Sequence, residues 1–253
     1  VTALIRQATT AAISYSNAED RQEVRDRLVA ILATGLRDAM PGSDHQVAYA
    51  NGLATAATTD AADLLKGWLS GEEVPEGLSI DQGMRWRLVT ALARLGRVGE
   101  DEIAAELQRD NTISGSEQAA GARAAMPTAQ AKQAAWQRAT TDDSVPNETY
   151  RQLVMQFIQP DQTEVLSPYV DLYLELCKAI DSHEGQWAKA GHAQVQNALM
   201  WLFPSTEVID AAWLNKLEGW VSDNDPGSTV RRVLAERADN ARRILRCQEA
   251  SRG

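Results

Sequence analysis

Apolar residues recur at steps of three and four along almost the whole chain, the spacing at which side chains share one face of a helix. In VRDRLVAILATGLRDAM the positions Val24, Leu28, Ile31, Leu32 and Leu36 make one such stripe. In MRWRLVTALARLG, Trp86, Val89, Leu92, Ala93 and Gly96 make another. The same period runs through YRQLVMQFI, YVDLYLELCKAI, AQVQNALMWLF, AAWLNKLEGWV and STVRRVLAERADNARRIL. The strict alternation of a half-buried strand is found nowhere. Breaks are expected at PGS after Met40 and at the stretches around Pro75, Pro127, Pro146 and Pro226, because proline and glycine interrupt helices. The pattern predicts an all-α protein of about a dozen helices.

A second rhythm lies in the helix starts. Ser43 with Gln46, Ser79 with Gln82 and Ser114 with Glu117 fit the capping box, in which a hydroxyl and the residue three places on satisfy orphan backbone N–H groups. These serines stand 36 and 35 residues apart, and Asn147 and Ser182 extend the series at steps of 33 and 35. Such a period holds one helix pair per unit, which predicts an α-solenoid of HEAT-like helical hairpins over residues 1–253 as a single helical-repeat domain. Trp86, Trp136, Trp187, Trp201, Trp213 and Trp220 sit in or beside apolar stripes and are expected to pack between neighbouring helices.

Composition adds limits on partners and compartment. A hydrophobic content of 44% in 253 residues is enough for a buried core. A formal charge of -10 and a pI near 4.9 oppose binding to nucleic acid or to an anionic membrane surface. Cys177 and Cys247 form neither a disulfide framework nor a C-x-x-C pair, which suits a reducing compartment, and the cytoplasm is expected. No apolar run is long enough to span a bilayer. Because the chain starts at Val1 within a helical pattern, it reads as a fragment of a longer polypeptide.

The stretch SHEGQW holds the one His-Glu pair, the opening of the zinc peptidase signature H-E-x-x-H. That signature needs a second imidazole four residues on, where the same helix face can grip one zinc. Here Trp187 stands at that place, His192 follows nine residues after His183 and out of phase, and Pro204 precedes the carboxylate of Glu207. His45 also lacks a ligand partner at metal-binding spacing. No G-x-S-x-G elbow, G-x-G-x-x-G turn or Walker loop is found, so catalytic, cofactor-binding and metal residues are all expected to be absent from this chain. On the last helix, Val230, Val233, Leu234, Ala241, Ile244 and Leu245 make the expected packing face. Arg231, Arg232, Arg237, Arg242, Arg243 and Arg246 gather elsewhere around it, and Arg242 with Arg243 is the candidate contact for a peptide carboxylate.

Three stretches carry a family resemblance: GLSIDQGMRWRLVTALARLG, DNTISGSEQAAGARAAMPTAQAKQAAW and LFPSTEVIDAAWLNKLEGWV. They resemble the C-terminal helical domain of the zinc-dependent aminopeptidase N family in its actinobacterial form, most strongly over residues 78–140 and 199–220. The resemblance implies a curved bowl of HEAT-like hairpins that closes over the active-site cavity of its own polypeptide. It implies an upstream catalytic domain that carries H-E-x-x-H, a distant Glu ligand, a Gly-x-Met-Glu-Asn loop and the zinc, with peptides as substrates. None of those motifs is present here, so no catalytic residue carries over. The alternative is a free-standing helical-repeat adaptor that binds another protein in its groove.

Overall fold

A computed structural model describes residues 1–251. The chain is all-α, 74% helical, and among the described residues there is no strand. The described residues form fourteen α-helical segments, of which α10 is a single turn. Pro41, Pro75, Pro127, Pro146 and Pro226 all lie outside the α-helices, as the missing N–H and fixed φ of proline require. The chain divides into two compact units, one built from Val1–Gly115 with the residues from Cys247 onward and the other from Ser116–Arg246.

The first unit contains α1 (Thr2–Thr10), α2 (Arg21–Asp38), α3 (Asp44–Ala56), α4 (Ala62–Ser70), α5 (Gln82–Arg94) and α6 (Glu100–Arg109). In α2, Leu28, Leu32 and Leu36 are buried at i, i+4 spacing, but Ile31 is 64% exposed. The expected stripe is therefore narrower than the sequence suggests, and it continues N-terminally through the fully buried Arg25 rather than through Ile31. The guanidinium of Arg25 reaches the carbonyl of Ala57 at 3.4 Å, and that of Arg94 reaches the same oxygen at 2.7 Å. Ala57 is the C-cap of α3, so two buried cations meet the negative end of a helix. In α5, Trp86, Val89, Leu92 and Ala93 are buried as expected. Gly96 ends that helix with φ +67°, its N–H on Ala93 O and the Arg97 N–H on Leu92 O, a Schellman turn that favours glycine.

The second unit contains most of α7 (Ile113–Ala125), then α8 (Ala129–Thr141), α9 (Asn147–Phe157), α10 (Thr163–Leu166), α11 (Tyr169–Asp181), α12 (His192–Trp201), α13 (Ala211–Asn224) and the greater part of α14 (Ser228–Ala250). One hydrophobic cluster runs through it from Ala124 to Ala241, with Tyr173, Phe203 and Trp213 in mutual ring contact. Trp187 and Trp213 are buried in it, while Trp136, Trp201 and Trp220 are partly buried against it. In the first unit Trp86 and Trp68 are 2% and 1% exposed, so the tryptophans pack as expected.

The capping rhythm is not kept. Ser43 does cap α3, accepting from the Gln46 N–H at 3.2 Å. The Gln46 side chain, however, accepts from Gly42 N and donates to Glu76 O instead of returning to Ser43. Asp81, not Ser79, caps α5, and Thr112, not Ser114, accepts from Gly115 N at the start of α7. Asn147 is the first residue of α9, and Ser182 ends a helix rather than starting one. The true caps Ser43, Asp81 and Thr112 stand 38 and 31 residues apart. Any of several nearby polar side chains can cap, so spacing read from serines alone does not fix the helix starts.

Candidate functional site

The His-Glu pair lies in a helix-ending turn. The Ser182, His183 and Glu184 N–H groups donate to Lys178, Ile180 and Ala179 carbonyls, which closes α11 in a Schellman turn. His183 occupies its left-handed position at φ +55°, and its Nδ1 lies 3.0 Å from Asp181 O. Sequence reading expects a helix start at Ser182. The structure places the pair at a helix end, because the turn satisfies the last carbonyls of α11. After it comes a short 3₁₀ turn over Gly185–Ala188 that buries Trp187, while Gln186 donates to Ala139 O at 2.7 Å.

The histidines do not assemble a centre. His45, His183 and His192 are all exposed. Glu207 accepts from the Asp161 N–H at 3.3 Å. Among the described residues no group of three His, Cys, Asp or Glu side chains could hold a metal ion.

Charged side chains concentrate in three other places. In the first unit, Glu106 is buried and receives the Arg85 guanidinium through Nη2 at 2.6 Å and Nε at 2.9 Å, with Arg109 Nε at 2.9 Å. Burial alone would raise the Glu106 pKa, but the two guanidinium groups more than offset it and the net shift is downward. Nearby, Asp110 accepts from the Trp86 indole at 2.7 Å and from Thr112 Oγ1 at 2.8 Å, and the indole hydrogen bond is the main cause of its lowered pKa.

In the second unit, Lys132 is fully buried, and its ammonium donates at 2.7 Å to both Ala124 O and Phe157 O. It therefore closes the C-terminal ends of α7 and α9 and lies 5.3 Å from the centre of the Phe157 ring. Burial lowers its pKa to about 7. The third place is α14. Arg242 is held side-on by Glu218, at 2.9 and 2.5 Å, and also donates to Asn215 at 2.8 Å, while Arg243 pairs with Asp239 at 2.8 Å. Arg242 stands at the edge of an apolar groove of about 330 Å³ floored by Leu217, Val221, Leu234 and Ala238. Arg237 departs from expectation. It lies on the packing face of α14 between Leu234 and Ala241, with its guanidinium 5.5 Å from the Phe203 ring centre.

A family comparison covers nearly the whole chain. Residues 1–243 match the model of the ERAP1-like C-terminal domain. The chain belongs to this family. It is also similar to the aminopeptidase N of Streptomyces lividans, with 36% identity over 251 residues, covering 99% of this chain but 28% of that protein. The chain thus corresponds to a domain of a larger aminopeptidase N-like protein. The residues of this ERAP1-like domain that sequence reading overlooks are Lys132, Glu106 and the inward-facing Arg237. A signal for two of them does exist: Lys132 shares an i, i+3, i+7 stripe with Ala135 and Ala139, and Arg237 shares one with Val230, Val233, Leu234, Ala241 and Ile244.

Proposed function

We propose that the chain is the non-catalytic C-terminal domain of a zinc metallo-aminopeptidase, a curved stack of HEAT-like hairpins that covers the active-site cavity of its own polypeptide and controls peptide access and binding. The observation that carries this reading is the 36% identity over 99% of the chain to part of a protein named aminopeptidase N. An exopeptidase must admit unfolded peptides while excluding folded chains. A helical cover does this by restricting the path to the active site and offering an inner surface to the body of the peptide. Closure would also exclude water from the reaction. The zinc would polarise the scissile carbonyl and activate water in the upstream domain, and this chain would contribute no ligand to it.

The proposed compartment is the cytoplasm, where the free thiols of Cys177 and Cys247 stay reduced. The proposed partners are the upstream catalytic domain and peptide substrates, with no nucleic acid and no membrane. No helix among the described residues is long and apolar enough to cross one. Arg242 and Arg243 are the proposed contacts for a peptide carboxylate. Their carboxylate partners Glu218 and Asp239 are 44% and 69% exposed, and pairs this open to water are weak enough to exchange for a ligand.

The test is the native reading frame. A frame that continues several hundred residues upstream, on the order of two domains or more, and encodes H-E-x-x-H supports the reading. Translation starting next to Val1 refutes it and leaves the adaptor.

A further inference from the structure

The groove between α13 and α14 joins an apolar floor to charges of both signs. Glu218, Asp239 and Arg242 all line it, above leucine, valine and alanine side chains of the two helices. Its volume of about 330 Å³ lies at the lower end of the range for small-molecule sites, about 300–1,000 Å³. That is room for one small molecule rather than for a helix of a partner.

Two of the three charged groups keep unused hydrogen-bonding capacity. Arg242 donates through Nε and Nη2 to Glu218, at 2.9 and 2.5 Å, and through Nη2 to Asn215 at 2.8 Å. Its Nη1 has no partner among the described residues. Asp239 accepts from Arg243 through Oδ2 at 2.8 Å, while its Oδ1 accepts from no described residue, and its side chain is 69% exposed. Both oxygens of Glu218, by contrast, are engaged by Arg242. A guanidinium offers five N–H donors and a carboxylate about four acceptor positions, so Arg242 and Asp239 can each take a further partner without giving up a present one. The two stand three residues apart on α14, the spacing at which side chains are neighbours on one helix face, with Cβ atoms about 5–6 Å apart.

We propose that this groove binds a free α-amino acid with an apolar side chain, its carboxylate on Arg242, its ammonium on Asp239 and its side chain against the floor. An α-amino acid carries both charges and the side chain on one carbon, which suits two opposite charges side by side above an apolar surface. A ligand with a carboxylate alone would bring its anion up to Asp239, and one with an amine alone would bring its cation up to Arg242. The site shares Arg242 with the proposed peptide contact but requires an ammonium group that the C-terminal residue of a peptide lacks, and so goes beyond that reading. With the proposed function, the ligand is of the class that the enzyme releases as product, and this consequence alone rests on that reading.

The experiment is calorimetric titration of the complete polypeptide with L-leucine, and then with N-acetyl-leucine, leucinamide and glycine, which lack the ammonium, the carboxylate and the side chain respectively. Saturable leucine binding is expected. The component that belongs to this groove should weaken by about tenfold or more in Asp239→Asn and in Arg242→Gln. It should be lost in Ala235→Trp, which fills the groove from an exposed position, and persist in Arg246→Gln, which alters an exposed arginine of the same helix. Each of the three analogues should bind there at least about tenfold more weakly than leucine. Leucine held elsewhere in the polypeptide would bind alike in parent and variants, and that result overturns the proposal. N-acetyl-leucine binding as tightly as leucine overturns it in favour of a peptide C-terminus, and leucinamide binding as tightly removes Arg242 from the site and overturns it as well. The titration needs no peptidase activity, so its failure is distinguishable from failure of the proposed function.

Discussion

Trp86 donates its indole N–H to Asp110 at 2.7 Å, so the buried centre of α5 holds the residue that ends α6. The other Asp110 oxygen takes the Thr112 hydroxyl, whose own oxygen caps α7 through Gly115 N. Gly115 passes so near that a Cβ there would stand 2.1 Å from the Asp110 carbonyl. Helices α5 and α6 are thereby registered through one carboxylate.

Trp86→Phe keeps most of the ring but removes a hydrogen bond to a charged acceptor, and should cost about 1.5–3 kcal/mol. Trp86→Ala should cost about 3–5 kcal/mol through the cavity it leaves. His192→Ala, at an exposed site, should stay within about 0.5 kcal/mol. Urea denaturation midpoints measure all three. The indole bond lowers the Asp110 pKa, so its stabilisation is present above the ordinary aspartate pKa of about 3.9 and is lost as pH falls through the lowered folded value. Trp86→Phe should therefore flatten the acid limb of the stability curve.

Lys132 should govern the neutral-to-alkaline limb. Its folded pKa of about 7 lies below the unfolded lysine value of about 10.4. Between the two, the unfolded chain binds the extra proton, so stability rises with pH by at most about 1.4 kcal/mol per unit. Burial raises the pKa of Cys177 and Tyr150, which works in the opposite sense once unfolded thiols ionise above about 8.5. Stability should therefore climb from about pH 7 to a maximum near 8.5–9. In Lys132→Met the climb should vanish while the fall above it remains, as read from unfolding midpoints over a pH series.

The turn at His183 gives an opposite-signed pair. A non-glycine residue held at φ +55° carries left-handed strain, so His183→Gly should leave stability unchanged or raise it by up to about 1 kcal/mol. Trp187→Ala, four residues on and buried, should cost about 3–5 kcal/mol. Thermal midpoints of the two variants check the signs.

Much of the fold was legible because helical periodicity reports burial directly: the apolar residues of α5 expected inside are inside, those of α14 are too except for the partly buried Leu245, and every proline falls in a break. Periodicity failed where polar groups enter the core. Arg25 and Arg237 sit on apolar stripes, and their charge reads as solvent-facing until the Ala57 carbonyl and the Phe203 ring are in view. Cap positions misled for a related reason, since Asp81 and Thr112 took the places assigned to Ser79 and Ser114. The carboxylate arrangement at Glu106 joins residues 21 positions apart, and no spacing in one sequence marks such a pair.

Arg242→Gln with Arg243→Gln tests the proposed peptide contact in the complete enzyme. Peptides with free and amidated C-termini should lose their difference in kcat/KM if the pair receives the carboxylate. A specificity ratio equal to that of the parent enzyme would return both arginines to the surface pairs with Glu218 and Asp239.

The most direct measurement of the central claim compares the complete polypeptide with one lacking residues 1–253, each assayed on an aminoacyl anilide and on a hexapeptide with zinc content monitored. A cover that binds the body of the peptide predicts that, with zinc retained, the ratio of hexapeptide to anilide kcat/KM changes by about tenfold or more, because the anilide never reaches the cover's inner surface. A ratio unaltered by the deletion, with zinc retained, would contradict a role in peptide access.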